Sequence, residues 1–209
     1  MKKYLNLIFA AVLVVVFVML MIFIKNGSIV GFDNKVYSIV TANTSDFLDN
    51  MFKVITFLAS TKFIIGTVFV IFAFLFFVKK EKKMAFVIAG SVGFAAVFNR
   101  IVKYIFRRER PTVRRLVEEK SFSFPSGHTN ASVALCGILI FFIMRSKMKK
   151  SVKIPVCVVL GILPICVAIS RIYLGAHFAS DVTGAAVITT AILLVETYLL
   201  NKYYDRIMK

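Results

Sequence analysis

The chain has 209 residues, 59% of them apolar, with a formal charge of +17 and a mean hydropathy of +0.86. Soluble domains run at about 45–50% apolar, so an ordinary soluble protein is excluded; the excess gathers into blocks long enough to cross a bilayer, which takes roughly 20 apolar residues per helix. The basic balance does not require a nucleic-acid partner, because Lys and Arg beside membrane spans set topology and attract lipid head groups.

The first apolar block, 4–24, runs 21 residues without a charge. Lys2 and Lys3 ahead of it suit the n-region of a signal peptide, but the block is longer than an h-region. The following KNGSIVG offers no small-x-small cleavage site, which favours a retained span. The segment 26–60 begins polar and then sets Phe47, Leu48, Met51, Phe52, Ile55 and Leu58 at helical spacing. That pattern predicts either an amphipathic helix at the membrane surface or a helix capping the bundle. Five further spans follow at 61–78, 84–100, 126–144, 154–170 and 181–200, the third and fifth of the six being short, as where a helix end meets a polar site. Charged breaks, KKEKK at 79–83 and RSKMKKSVK at 145–153, separate several of them. With no internal repeat or low-complexity linker, residues 1–209 read as a single domain. It is an all-α integral membrane six-helix bundle with an amphipathic surface helix between the first two spans. Cys136, Cys157 and Cys166 lie within apolar runs without CxxC or CxxH spacing and read as core or lipid-facing residues.

Lys and Arg placement bears on orientation. With both termini cytoplasmic, the inner side holds 14 of the 27 basic residues, and eight of the remaining 13 fall in Arg100–Lys120. A cluster that runs against the topological rule needs another reason to be there, and a functional one is expected.

Three stretches carry that reason: KYIFRRERP at 103–111, FPSGHTN at 124–130 and SRIYLGAHFASD at 170–181, all opening on one face in a six-span arrangement. Lys103, Arg110 and Arg171 are cations at or near span ends, costly there unless solvated or paired with an anion; phosphate suits guanidinium groups, which bind its oxygens two at a time. Pro125, Ser126 and Gly127 precede an apolar run and so begin a helix, whose free N–H groups attract an anion. His177 and Asp181 are four apart and share a face on a helical turn. A carboxylate on one ring nitrogen leaves the other free to attack, and His128 is in position to protonate a leaving oxygen. Taken singly, each residue also fits an ordinary role: an interfacial His, snorkelling cations, Asp181 capping a helix with Gly184 giving close packing. Both histidines of the chain, however, fall in these stretches. Arg107, Arg108, Arg114 and Arg115 read as solvated loop charges facing lipid phosphates.

These residues resemble the signature of the type 2 phosphatidic acid phosphatase superfamily, Lys-x6-Arg-Pro, Pro-Ser-Gly-His and Ser-Arg-x5-His-x3-Asp. Lys103 with Arg110-Pro111, Pro125-Ser126-Gly127-His128, and Ser170-Arg171 with His177 and Asp181 fill every position in order. The resemblance implies that His177 is the nucleophile and forms a phosphohistidine, with Asp181 orienting it. It implies that His128 protonates the leaving group, that water then hydrolyses the intermediate, and that Lys103, Arg110, Ser126, Gly127 and Arg171 hold the phosphate. It implies no metal and no other cofactor, in keeping with the lack of a carboxylate cluster suited to Mg²⁺.

The expected activity is therefore metal-independent hydrolysis of a membrane lipid phosphate at the outer face of the plasma membrane. Undecaprenyl pyrophosphate and phosphatidylglycerol phosphate are the leading substrates, and the sequence does not separate them. A lipid phosphotransferase, passing the phosphoryl group to another lipid, and a non-catalytic protein that binds or transports phospholipid stay open as rivals. The partners expected are the lipid substrate and the bilayer, with no nucleic acid.

Overall fold

The structure, a computed structural model, describes residues 4–208, and their side chains as far as 203. Among the described residues there are eight helices and no strand. In chain order they are α1 Leu5–Lys25, α2 Val30–Val40, α3 Asp46–Phe57, α4 Thr61–Ala73, α5 Lys82–Phe106, α6 Gly127–Arg145, α7 Lys150–Tyr173 and α8 Ala179–Met208. α4 continues as one π-helical turn, Phe74–Val78. Helices are what such apolar blocks must form, because in hydrocarbon every backbone N–H and C=O has to be paired within the segment. α1, α4 with its π turn, α5, α6, α7 and α8 are long and apolar enough to span a membrane.

α6 lies at the centre, packed on α5, α7 and α8, with α4 outside α5 and α1 along α8. One half of the bundle is closed by Ile88, Val92, Leu135, Ile138, Phe142 and Leu193. Nearer the other end, Phe124 stacks between Phe17 and Phe106. A Cβ on Gly184 would run into the Phe124 ring, so close helix packing at this position requires glycine. Alternation of the spans brings the ends of α1, α5 and α7 and the starts of α4, α6 and α8 to one face. There lie α2, α3, the 107–126 connection and the α7–α8 turn.

Two features depart from the sequence expectation. The 26–60 segment holds two helices, since its first part, read only as polar, contains α2. As expected, α3 is amphipathic: Leu48, Met51, Phe52, Ile55 and, just past its end, Leu58 are partly buried, with Phe52 packed on Tyr173. Its Asp49 and Thr56 are buried in the protein, while Phe47, Val54 and Phe57 are exposed on the outside. Ser45 Oγ caps it, accepting from the Leu48 N–H. Finally, the third and fifth spans are not short: α5 continues to Phe106 and α7 to Tyr173. Their charged residues, Lys103 and Arg171, sit in the last turns, where a cation complements the helix dipole, and both are buried. A helix need not end where its hydropathy does when the charge turns inward.

Candidate active site

The α7–α8 turn carries the histidine. It is tight because Gly175 adopts φ +66°, and a Cβ there would collide with the Arg114 carbonyl. The 107–126 connection lies across it, with the Leu116 N–H bonded to the Leu174 carbonyl at 3.0 Å. His177 follows at once, its side chain 1% exposed, and its Nδ1 lies 3.5 Å from Asp181 Oδ2, whose side chain is 0% exposed. Ser123 bridges the pair: its hydroxyl donates to Asp181 Oδ2 at 2.5 Å and lies 3.3 Å from His177 Nδ1. The Phe178 N–H donates to the same oxygen at 2.9 Å. On its other edge the imidazole presents Nε2 to Arg110 Nη1 at 3.2 Å. Arginine only donates, so Nε2 carries the lone pair and Nδ1 the proton.

Arg110 is fixed by the carbonyls of Ser121 and Ala176, each at 2.7 Å. Arg171, its side chain 1% exposed, donates through Nη1 to Thr56 of α3 at 2.8 Å and through Nη2 to Glu119. Its Nε is buried without a hydrogen-bond partner among the described residues, a donor held ready for an anion. Lys103 Nζ lies 3.5 Å from Ser121 Oγ. A Cβ on Gly127 would lie 4.0 Å from that ammonium, so Lys103 and the start of α6 face each other closely. Ser126 is the N-cap of α6: its Oγ accepts from Thr129, and its N–H donates to the Asp181 carbonyl at 3.1 Å. The second and third motifs are thereby tied together, and the N–H groups of Gly127 and His128 are left without helical partners. His128 lies in the first turn of α6, its side chain 18% exposed, with Nδ1 3.8 Å from Glu119 Oε1.

The eight residues expected from sequence thus gather at one end of the bundle around a polar centre. The arrangement sets an unprotonated ring nitrogen beside three cations, with a second, partly exposed histidine in the same cluster. That is what in-line attack on a phosphoryl group requires. Among the described residues no three His, Cys, Asp or Glu side chains group to hold a metal ion.

One expectation is overturned. Arg108 is not a solvated loop charge: its side chain is 13% exposed and bridges Asp181 Oδ1 at 2.7 Å and Asp33 Oδ2 at 2.8 Å. It also donates to Ser180 Oγ at 2.7 Å and stacks over the Phe178 ring at 4.0 Å. Two buried carboxylates, one from α2, make the charge affordable there. Arg114 is exposed as expected but also pairs with Asp49 of α3 at 2.7 Å, where Tyr173 donates at 2.8 Å. Arg107 and Arg115 are exposed.

Residues 84–205 match the model of the PAP2 superfamily. Phosphatidylglycerophosphatase B of Bacillus subtilis (strain 168) is 33% identical over 144 residues, 66% of this chain and 68% of that protein. The crystal structure of the first transmembrane PAP2 type phosphatidylglycerolphosphate phosphatase from Bacillus subtilis superposes with a TM-score of 0.82. It has 27% identity and covers 96% of this chain and 97% of that one. Aquifex aeolicus LpxE shares the fold, with a TM-score of 0.61 at 23% identity over 78% of this chain and 92% of that one. A matched segment that holds every signature residue, set in a bundle with six candidate spans, leads to one conclusion: the chain belongs to the PAP2 superfamily, as a membrane lipid phosphatase.

Proposed function

We propose that the protein hydrolyses phosphatidylglycerol phosphate through a phosphohistidine on His177. The single observation that carries this is the His177 ring: Nδ1 turned to Asp181 and Ser123, Nε2 turned to Arg110 among the phosphate-binding cations. Nε2 attacks phosphorus in line with the leaving oxygen, forming the N–P bond as the P–O bond breaks. His128 gives its proton to that oxygen, then takes one from the water that cleaves the N–P bond. Arg110, Arg171 and Lys103, with the free N–H groups of Gly127 and His128, hold the three equatorial oxygens. Ser126 acts by capping α6 and tying it to Asp181. The head group follows from the names of the Bacillus subtilis relatives. The termini are cytoplasmic and the site faces outward, which accounts for basic residues concentrated away from the inner loops.

The lipid tail has a seat. An apolar groove of about 520 Å³ runs between α6, α7 and α8, lined at one end by Thr129 and Val182, chain neighbours of His128 and Asp181, and farther along by Gly161 and Leu193. Nothing lies within 4 Å of a Cβ built on Gly161, so Gly161→Phe fills the groove without disturbing the fold. Losing contact with about two methylenes costs roughly 1.5 kcal/mol. The variant is expected to raise KM about tenfold for a long-chain lipid phosphate and to leave hexyl phosphate turnover within twofold. An equal effect on both esters would remove the groove from substrate binding.

The function is tested by phosphate release from purified protein in detergent with EDTA present, using phosphatidylglycerol phosphate, undecaprenyl pyrophosphate and phosphatidic acid in parallel. Phosphatidylglycerol phosphate is expected to turn over fastest, undiminished by EDTA. Faster release from undecaprenyl pyrophosphate would reassign the substrate. Transfer to an added lipid in place of release would make the protein a phosphotransferase, and no reaction with any of the three would leave a binding protein.

A further inference from the structure

Glu119 was not among the residues expected from sequence, yet its carboxylate sits among the groups assigned to the phosphate. Oε1 is bound by Arg171 Nη2 and lies 3.8 Å from His128 Nδ1, and Oε2 lies 3.8 Å from Arg110 Nη2. Burial works against this carboxylate, but Arg171, His128 and Arg110 together outweigh it and hold it ionised below the ordinary carboxylate range. This carboxylate thus takes up a guanidinium donor that a substrate phosphate would also seek.

The His128 ring makes no hydrogen bond among the described residues. The charges that face it are Arg171 from α7, Lys103 from α5, and Arg110 and Glu119 from the 107–126 connection. Three of these four are cations and oppose an imidazolium. A proton donor placed among them needs an anion at its second nitrogen, and Glu119 is the protein carboxylate in reach. When a phosphate takes Arg171 Nη2 and Nε, the Glu119 carboxylate is released within 3.8 Å of His128 Nδ1. The movement needed to make a hydrogen bond is about 1 Å, in a connection without regular secondary structure.

We propose that Glu119 is a positioning residue with two stations: it neutralises Arg171 while the site is empty, and substrate phosphate moves it onto His128 Nδ1, where it orients and charges the proton donor. This rests on the hydrolase reading above. No covalent bond of Glu119 forms or breaks; a proton stays on His128 Nδ1 and the one on Nε2 goes to the leaving oxygen.

The test uses full-length Glu119→Gln and Glu119→Asp in detergent, with two readouts. The first is binding of inorganic phosphate, followed by thermal shift. Glu119→Gln is expected to bind about five- to tenfold tighter, because the competing anion is gone. The second compares kcat/KM for two esters of similar tail, decyl phosphate with a poor alkoxide leaving group and 4-butylphenyl phosphate with a good phenoxide one. Only the first depends on proton donation, so the ratio of the two is expected to fall at least tenfold in Glu119→Gln and to recover most of the loss in Glu119→Asp. A merely structural residue would slow both esters alike, and that outcome overturns the proposal. So does unchanged or weaker phosphate binding. A native protein that binds phosphate but releases none from any ester would sink the hydrolase reading itself, a result distinct from either.

Discussion

Replacing His177 by alanine is expected to abolish phosphate release, a fall on the order of 10,000-fold or more, the size that accompanies loss of a covalent nucleophile. His177→Gln, closer in volume to the buried ring, separates loss of chemistry from loss of fold: it should be as inactive while keeping the native melting temperature within a few degrees. Native protein given ³²P-labelled substrate and quenched in alkaline detergent should carry a label that is kept in alkali and lost on later acid treatment, as a phosphoramidate behaves, and neither variant should carry any. A variant retaining a tenth of native turnover would assign the attack to water or to another group. Release without a trapped label would leave that question to the stereochemistry at phosphorus, where double inversion reports a covalent intermediate.

The same residue fixes the sign of the pH dependence. Burial first, then Arg171, Arg110 and Lys103, push His177 well below the ordinary histidine value. A ring with a depressed value is neutral at every pH above it and loses its attacking lone pair only when pH falls through it. The acid limb of kcat/KM should therefore follow the second ionisation of the substrate phosphate, near about 6, and shift with the acidity of the ester. A limb fixed near 6.5 for esters of differing acidity would show an ordinary solvated histidine.

Most of the groups gathered at the candidate site were legible because they stand in short motifs at helix ends and in the connections beside them. What escaped were the residues that hold those groups. Asp33 reaches Ser180 across 147 positions and Arg108 across 75, Thr56 meets Arg171 across 115, and Ser123 meets Asp181 across 58. Such partners share no spacing, because helix packing and not the chain brings them together. One signal was available. The chain has ten acidic residues against 27 basic ones, so an acid on the basic face is a scarce neutraliser. Asp33, Asp49 and Glu119 are three of them, and each sits on an arginine of the site or its rim. The spans were legible from hydropathy, but α2 was not, since its inner face is a short stripe of Val36, Tyr37 and Val40 headed by the buried Asp33. The ends of α5 and α7 were misjudged for a related reason: hydropathy cannot tell a cation that leaves the membrane from one that turns into a polar centre.

That network predicts the second large effect. Arg108→Met is expected to lower kcat by about 100- to 1,000-fold and to destabilise the protein by roughly 3–5 kcal/mol, the cost of leaving buried carboxylates without their partner. Asp181 Oδ1 is engaged by Arg108, while Oδ2 takes Ser123 and the Phe178 N–H. Without the guanidinium, Asp181 is free to turn its ionised edge away from His177, and the ring loses both its orientation and its support against positive charge at Nδ1. Arg108→Lys should rescue only part, because one ammonium cannot span Asp33, Ser180 and Asp181 at once. Asp33→Asn leaves the contact with Asp181 in place and should cost less than tenfold. In the double variant Arg108→Met, Asp33→Asn, one unpaired carboxylate is gone, so stability should partly return while kcat stays low. That separation is the decisive result. If stability and turnover recover together, Arg108 serves only to bind α2, and the charge on Asp181 is set by Ser123 and the Phe178 N–H alone.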